Sequence, residues 1–351
     1  MDARVKLGIT AALVAFVIGT SVALADRPLV VSSRGEQASD TLRLGYFPNI
    51  NHAQAVIGVG NGDYQKALGS VRLERQLFTA GPAAVEALFA GRIDCSYVGP
   101  NPAINGYLKS AGSIKVVSGV SSGGAVFVVR NDAGIDSPAD LAGKRLASPQ
   151  LGNTQDVALR TYLLDHGYDV KKSGGDPEIQ PAKPADILTA MIKGDIDGAW
   201  VPEPWGARIV REAGAHIFLD ERELWEGGRF ATSLIICRSD YIEANPQAVK
   251  GLVGAHVDKT VWINSHKEEA VQAFNQEIAR LLGSPFDERD LKIALTRMDF
   301  TYDPLQESVA KVAHDAYRLG FLEKEEPDLS GMFDLEILQD VLAERGLGLQ
   351  Q

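Results

Sequence analysis

Two periods of apolar and polar positions alternate along the first two-thirds of the chain. Short β-type runs such as LRLGY (Leu42 to Tyr46), IKVVSGV and AVFVVR are interleaved with segments whose apolar residues recur at three- and four-residue steps. That alternation predicts α/β units with mainly parallel sheets. After Asn245 the pattern turns helical. NPQAVKGLVGAHVDKTVWINS, KEEAVQAFNQEIARLLG and PLQESVAKVAHDAYRLGFL each predict an amphipathic helix, and a last one is expected near Leu335 to Arg345. Asn245-Pro246 and Asp303-Pro304 read as helix starts with Pro in the first helical position.

The pattern repeats at an offset of about 100 residues. RLGYFPNINHAQAV (from Arg43) matches RLASPQLGNTQDVA (from Arg145), so Asn51 falls opposite Asn153 and His52 opposite Thr154. FTAGPAAVEA (from Phe78) sits opposite PAKPADILTA (from Pro181). EALFAGRIDCSYVGPNP (from Glu86) matches TAMIKGDIDGAWVPEP (from Thr189). In the last pair an apolar helix ends on Gly91 or Gly194, as helix C-caps favour. A strand and a Pro-bounded loop follow. The pair Asp195 and Asp197 reads as a solvated turn. Three blocks in the same order predict two similar lobes. Ser121 to Gly124 and Gly227-Gly228 each lead into a strand with no helix between, as expected of lobe crossings. The second lobe (125–230) is then inserted into the first (41–121 plus 233–320), with residues 321–351 a helical segment packed on the first lobe.

The N-terminus changes the compartment. Arg4 and Lys6 precede an apolar run closing on Ala23-Leu24-Ala25, the pattern of a cleaved secretory signal peptide over 1–25, with 26–40 a flexible leader. An uncleaved anchor is the rival reading, but the run is short for a bilayer span. The formal charge of -11 argues against a nucleic-acid partner, because no basic excess is present to neutralise phosphates. Cys95 and Cys237 lie in strand-like contexts, and either a bond or two buried thiols is compatible with an oxidising compartment.

Enzymatic motifs fail on context. Gly119-Val120-Ser121-Ser122-Gly123 matches a nucleophile elbow, but a strand follows it where a helix is required. Gly58-x-Gly60 falls in a helix, not after a strand. The six histidines are scattered, so neither a metal nor another cofactor is expected, and no catalytic residue is assigned. The strand-to-helix junctions carry the polar chemistry. In open α/β sheets ligands bind beyond the carboxyl ends of strands, and helix N-termini hold anions. The candidate ligand-binding residues are Asn49, Asn51, His52, Thr79, Gly81 and Asn101, facing Asn153, Thr154, Gln155, Trp200 and Glu203. Each has a structural alternative: Asn51 and Asn153 as N-caps, Tyr97, Trp200 and Trp205 as core, and Glu203 as a backbone cap. These loops hold almost no cation, Lys183 excepted, which favours anion capture by backbone and neutral side chains.

Together GYFPNINHAQAV, FTAGPAAVEALFAGRIDCSYVGPNPAI, SPADLAGKRLASPQLGNTQDVALRTYL and GDIDGAWVPEPWGA resemble the periplasmic solute-binding proteins of ABC importers, in the aliphatic sulfonate, taurine and nitrate group. The resemblance covers about residues 41 to 345. It implies an α/β type II periplasmic binding protein fold, two Rossmann-like lobes with a hinge and C-terminal helices. It implies a monomeric, non-enzymatic protein that captures a small organosulfonate and delivers it to an inner-membrane permease driven by an ATPase. It also implies that the strand of Cys237 lies beside that of Cys95, which favours a disulfide. Pro202 before Glu203 departs from the group's usual aromatic-acid-Pro. Alternatives are nitrate, a thiamine-precursor pyrimidine, a receptor-coupled sensor, and a pyrimidine-synthase-like enzyme of the same fold, whose cysteine-rich iron segment this chain lacks.

Overall fold

The computed structural model describes residues 39–170, 175–322 and 326–349. The signal peptide and nearly all of the leader lie outside these residues. Thirteen strands are formed among them: β1 (Thr41–Tyr46), β2 (Arg72–Leu77), β3 (Cys95–Val98), β4 (Ile114–Gly123), β5 (Ala125–Arg130), β6 (Arg145–Ser148), β7 (Asp169–Val170), β8 (Gly175–Asp176), β9 (Glu178–Pro181), β10 (Gly198–Pro202), β11 (Ala215–Asp220), β12 (Ala231–Arg238) and β13 (Met298–Phe300). They build a six-stranded sheet β13-β4-β12-β3-β1-β2, a five-stranded sheet β11-β5-β10-β6-β9 and the small hairpin β7-β8. One lobe is built on each large sheet.

The expectation of mainly parallel sheets needs correction. Each large sheet has a parallel triad, β2-β1-β3 or β9-β6-β10. The strands beside it pair antiparallel: β12 with β3 and β4, β4 with β13, and β5 with β10 and β11. The physical reason lies in the crossings. A parallel neighbour needs a helical crossover, whereas β5 and β12 enter directly from the other lobe. The two sheets thus repeat each other, with β12 holding in the first the place that β5 holds in the second.

The repeat extends to side chains. The backbone N–H and guanidinium of Arg43, on β1, donate to Asp94 just before β3. Those of Arg145, on β6, donate to Asp197 just before β10. The guanidinium also reaches the carbonyl of the helix-ending glycine in both cases, from its second arm in Arg43 to Gly91 and from the arm shared with Asp197 in Arg145 to Gly194. Asp197 is therefore a fastening between strand and helix end rather than the solvated turn expected of it, while Asp195 is exposed. Leu42, Leu44 and Tyr46 alternate onto one face of β1 and are fully buried with Val249, Phe274 and Ile278 from the C-terminal helices. Burying side chains of this size gives about 1.5–3 kcal/mol each.

The C-terminal helices occupy Pro246–Ser265, Lys267–Leu282, Gln306–Arg318 and Glu336–Glu344, with Pro246 in the first turn as expected. The helix expected to begin at Pro304 begins two residues later, after Leu305 in a left-handed conformation. The loop expected at Gly99 to Pro102 is already helix (Pro100–Lys109), since prolines need no N–H partner in a first turn. Residues 119–123 lie within β4 and run on through Gly124 into β5. Gly123 (φ 73°) and Gly124 (φ 75°) adopt the left-handed region that side chains disfavour. Hydrogen bonds from Gly123 to Phe230 and from Gly124 to Arg297 pin this crossing.

Candidate functional site

The carboxyl ends of both parallel triads point at one another across a cavity of about 260 Å³. Five loop-to-helix junctions reach it, the last residue of each being a helix N-cap or close to one. From the first lobe come Asn49 to His52 before the helix Ala53–Gly60, Thr79 before Gly81–Phe89, and Gly99 before Pro100–Lys109. From the second come Asn153 before Thr154–Asp165 and Lys183 before Pro184–Lys193. In the helices that begin at Gly81, Pro100, Thr154 and Pro184 the N-cap residue's side chain bonds nothing in the first turn, which leaves unpaired N–H groups there, whereas the helix Ala53–Gly60 continues a tight turn in which Asn49 accepts from the Asn51 N–H and the Ile50 carbonyl from the Ala53 N–H.

Asn49, Asn51, His52, Thr79, Asn153, Thr154 and Gln155 line the cavity. Asn49 accepts from the backbone N–H of Asn51, so Asn49, not Asn51, is the local cap. Asn51 is 2 % exposed, yet neither its Nδ2 nor its Oδ1 has a partner. Thr154, 4 % exposed, likewise has an unpartnered hydroxyl. Leaving a buried polar atom unpaired costs about 1–3 kcal/mol, so both groups are poised for something that enters.

His52 is fully engaged. The Phe47 N–H donates to its Nδ1 at 3.0 Å, so the neutral ring carries its hydrogen on Nε2. Nε2 lies 3.1 Å from Ser233 Oγ and donates to it. The Ser233 hydroxyl hydrogen is thereby turned to other acceptors, and Ser233 lines the cavity. Burial lowers the His52 pKa to about 3, so the ring stays uncharged.

Four candidates lie elsewhere. Trp200 is core: it stacks on Phe127 with centroids 5.4 Å apart and donates to Glu221 at 2.7 Å. Glu203 accepts from the Ala207 N–H and pairs with Arg297, so it caps the helix Trp205–Glu212 and ties the lobes. Burial raises its pKa. Asn101 spans the lobes by donating to the Gly152 carbonyl at 2.6 Å. Gly81 packs against Pro102 in place of a side chain. Of the three aromatics weighed between core and cleft, Trp205 lines the cavity, while Tyr97 bonds Tyr64 and His256 in the core.

Residue reasoning missed Phe47, Phe78, Thr232, Ser233 and Leu282. A signal existed for Thr232 and Ser233: they open β12 immediately after a crossing, where the lobes must meet. Leu282 ends a helix remote in sequence, and nothing local marks it.

The lining contains no carboxylate, and Lys183 is its one cation among the described residues. Asp156, at the start of the same helix as Thr154, is held by Ser148, the Gly152 N–H and Arg160, which oppose its charge. The lobes are in contact around the cavity through Arg318–Asp165 and Arg211–Asp290, both 2.6 Å. Gly99 and Thr154 touch so closely that a β-carbon on Gly99 would collide with the Thr154 hydroxyl. Such a site can exclude water and hold an acceptor-rich ligand between helix ends, each worth about 0.3–1 kcal/mol to an anion and up to about 2 when partly buried.

Known proteins share this architecture. A candidate binding protein of Brucella abortus is 27% identical over 56% of this chain, and the match spans 59% of that relative's length. The taurine-binding periplasmic protein of Escherichia coli is 25% identical over 66% of this chain and 70% of its own. Among solved structures, the alkanesulfonate-binding protein SsuA from Xanthomonas axonopodis pv. citri, bound to MOPS, superposes with a TM-score of 0.70 at 20% identity. It covers 84% of this chain and 98% of its own, and so shares the two-lobe fold. Residues 35–282 match the family model directly, and the chain belongs to the NMT1-like family.

Proposed function

We propose that the protein is the solute-binding component of an ABC importer and captures a small organosulfonate between its lobes. The observation that carries this reading is the pair of buried, unpartnered side chains, Asn51 and Thr154, which follow strands of different sheets and line one cavity without carboxylates. A sulfonate offers three acceptor oxygens and a charge that stays ionised at any physiological pH. Asn51 Nδ2, the Thr154 and Ser233 hydroxyls and the uncapped helix ends supply matching donors. Relatives named for taurine and alkanesulfonate, both sulfonates, support the same ligand class.

In this reading residues 41–121 with 233–320 form one body and 125–230 the other, and closure presents a surface to a membrane permease coupled to an ATPase. The protein acts as a periplasmic monomer after removal of its signal peptide. Among the described residues no helix is long and apolar enough to cross a membrane. A second reading, a thiamine-precursor pyrimidine, draws on Phe47, Phe78 and Trp205, whose rings line the cavity.

A thermal-shift and calorimetric screen of alkanesulfonates, taurine, nitrate, sulfate esters and pyrimidines tests the assignment, since a ligand of the native state raises its melting point. Sulfonates are expected to stabilise the protein. Asn51→Ala and Thr154→Ala are each expected to weaken the best sulfonate about 10- to 100-fold, the worth of a hydrogen bond to a charged group. Stabilisation by pyrimidines alone would overturn the sulfonate reading.

A further inference from the structure

One helix of the second lobe is tied to one short stretch of the first along its whole length. The helix is Trp205–Glu212, and the stretch runs from Phe286 through the helix Glu288–Ala294 to Arg297, just before β13. At the start of Trp205–Glu212, Glu203 receives the Arg297 guanidinium on one carboxylate oxygen and the Ala207 N–H on the other. In the first turn, Trp205 meets Phe286 edge to face, with centroids 5.8 Å apart. In the last turn, Arg211 grips Asp290 through Nε at 2.9 Å and Nη2 at 2.6 Å. The ties run in opposite order along the two segments, so neither segment can slide without breaking them.

The order of charges makes the match specific. Glu203 and Arg211 meet Arg297 and Asp290, and reversing any one of these charges would set like signs together. Three of the four also sit at the helix end that favours their sign. Glu203 lies at the start of Trp205–Glu212, Arg211 in its last turn, and Asp290 in the first turn of Glu288–Ala294. The Glu203 and Asp290 side chains are 0 % and 1 % exposed, so a partner in the other lobe takes the place of water for each. The pair Arg318–Asp165 differs: its side chains are 37 % and 47 % exposed, and exposed pairs contribute little.

The same ties reach the cavity through the first crossing. The Glu203 N–H donates to the Gly124 carbonyl at 2.9 Å, and the Gly124 N–H donates to the Arg297 carbonyl at 2.8 Å. With the guanidinium–carboxylate pair these bonds close a ring of one crossing residue and one residue from each lobe. A β-carbon on Gly124 would stand 3.0 Å from Asn51 Nδ2, so the ring backs onto the site. Pro202 and Trp205, on either side of Glu203-Pro204, line the cavity from the second lobe. Where that wall stands relative to Asn51 follows from the ring and the ties beyond it.

We infer that the helix Trp205–Glu212 is a charge-matched strap, in which Glu203 and Arg211 are positioning residues that set the angle at which the second lobe closes on the first. They act on the cavity through Pro202 and Trp205 and touch no ligand themselves. The inference rests on the two-lobe reading proposed above and adds what fixes the closed angle.

Pulsed electron–electron resonance between nitroxide labels at Lys66→Cys and Lys193→Cys, exposed positions in different lobes, reads the lobe separation in the full mature chain. Arg211→Lys keeps the charge and loses the fork, Arg211→Gln loses both, and Arg211→Glu sets like charges together. The share of molecules at a longer distance is expected to rise in that order. For Arg211→Glu the ratio of closed to open molecules is expected to fall at least about ten-fold. Glu203→Gln is expected to lengthen the distance as well. A lowered melting point with an unchanged distance would make these pairs ordinary stabilising contacts and overturn the inference. Lengthening in Gly99→Ala but not in the Arg211 series would overturn the strap and leave the two-lobe reading intact. No change in any variant, Gly99→Ala included, would overturn the two-lobe reading itself.

Discussion

His52 stands where an anion would meet it, and its two ring nitrogens are already committed to the Phe47 N–H and to Ser233. Its contribution is to aim the hydroxyl of another residue. Because burial holds its pKa at about 3, the affinity for an oxyanion is expected to be flat between pH 5 and 8. A rise in affinity as pH falls through 6.5, measured by calorimetry, would show that a histidine charge takes part. Glu221 behaves in the opposite sense. Burial pushes its carboxyl up to about 7, while Trp200 donates to it. In the unfolded chain the carboxyl ionises near 4.5, so raising the pH from 4.5 to 7 favours unfolding through this group. His52 and His256, whose pKa burial lowers to about 4, act the other way below 6.5 and mask the trend in the wild type. The stability of wild type minus that of Glu221→Gln isolates the carboxyl. That difference is expected to fall by about 3 kcal/mol between pH 4.5 and 7.5 in denaturant titrations.

At the scale of elements, the repeat was legible down to its register. Matching Arg43 with Arg145 and Asp94 with Asp197 aligned residues that the structure uses identically, although their charges alone looked like surface. The junctions were legible too, because helix ends and strand ends have local signatures in Gly, Pro and Asn. The fate of side chains leaving those junctions was not. Glu203 and Trp200 sit one and two positions from Pro202, which lines the cavity, yet turn toward Arg297 and Phe127. Which way they turn depends on partners about 70 to 95 positions away, and no local pattern encodes that. The contact of Gly99 with Thr154 gives a test of closure. Gly99 has ordinary extended backbone, φ -74°, so Gly99→Ala strains nothing within its own lobe. Its methyl group would instead hold the lobes apart. The variant is expected to keep the ligand-free melting point within a few degrees and to lose at least ten-fold in ligand affinity. Unchanged affinity would mean that the lobes do not need this contact to close.

At the scale of the molecule, the two lobes differ in how they are held together. Cys95 and Cys237 are joined in the structure, directly opposite in the pairing of β3 with β12. The neighbourhood of these strands followed from the family resemblance, whereas the residues themselves left free thiols equally open. Titration of the unreduced, denatured protein is expected to find no free thiol. Replacing both cysteines by serine is expected to cost about 2–5 kcal/mol of stability, the usual range for a native disulfide. The net charge of -11 leaves the surface as a whole repulsive to anions. In the proposed role, the exposed Lys183 on the cavity wall and the uncapped helix ends would oppose that repulsion locally, over the last few ångströms of an anion's approach.

The same bond has a further consequence. The cysteines lie 142 positions apart, and the segment between them includes every strand of the second sheet, so the inserted lobe hangs as a loop on a covalently closed ring. A protease cut anywhere in that lobe opens the ring without releasing a fragment. A nicked molecule then migrates as one species on a non-reducing gel and as two after reduction, and both ends of the severed lobe stay tethered at the site where they would have to re-form it.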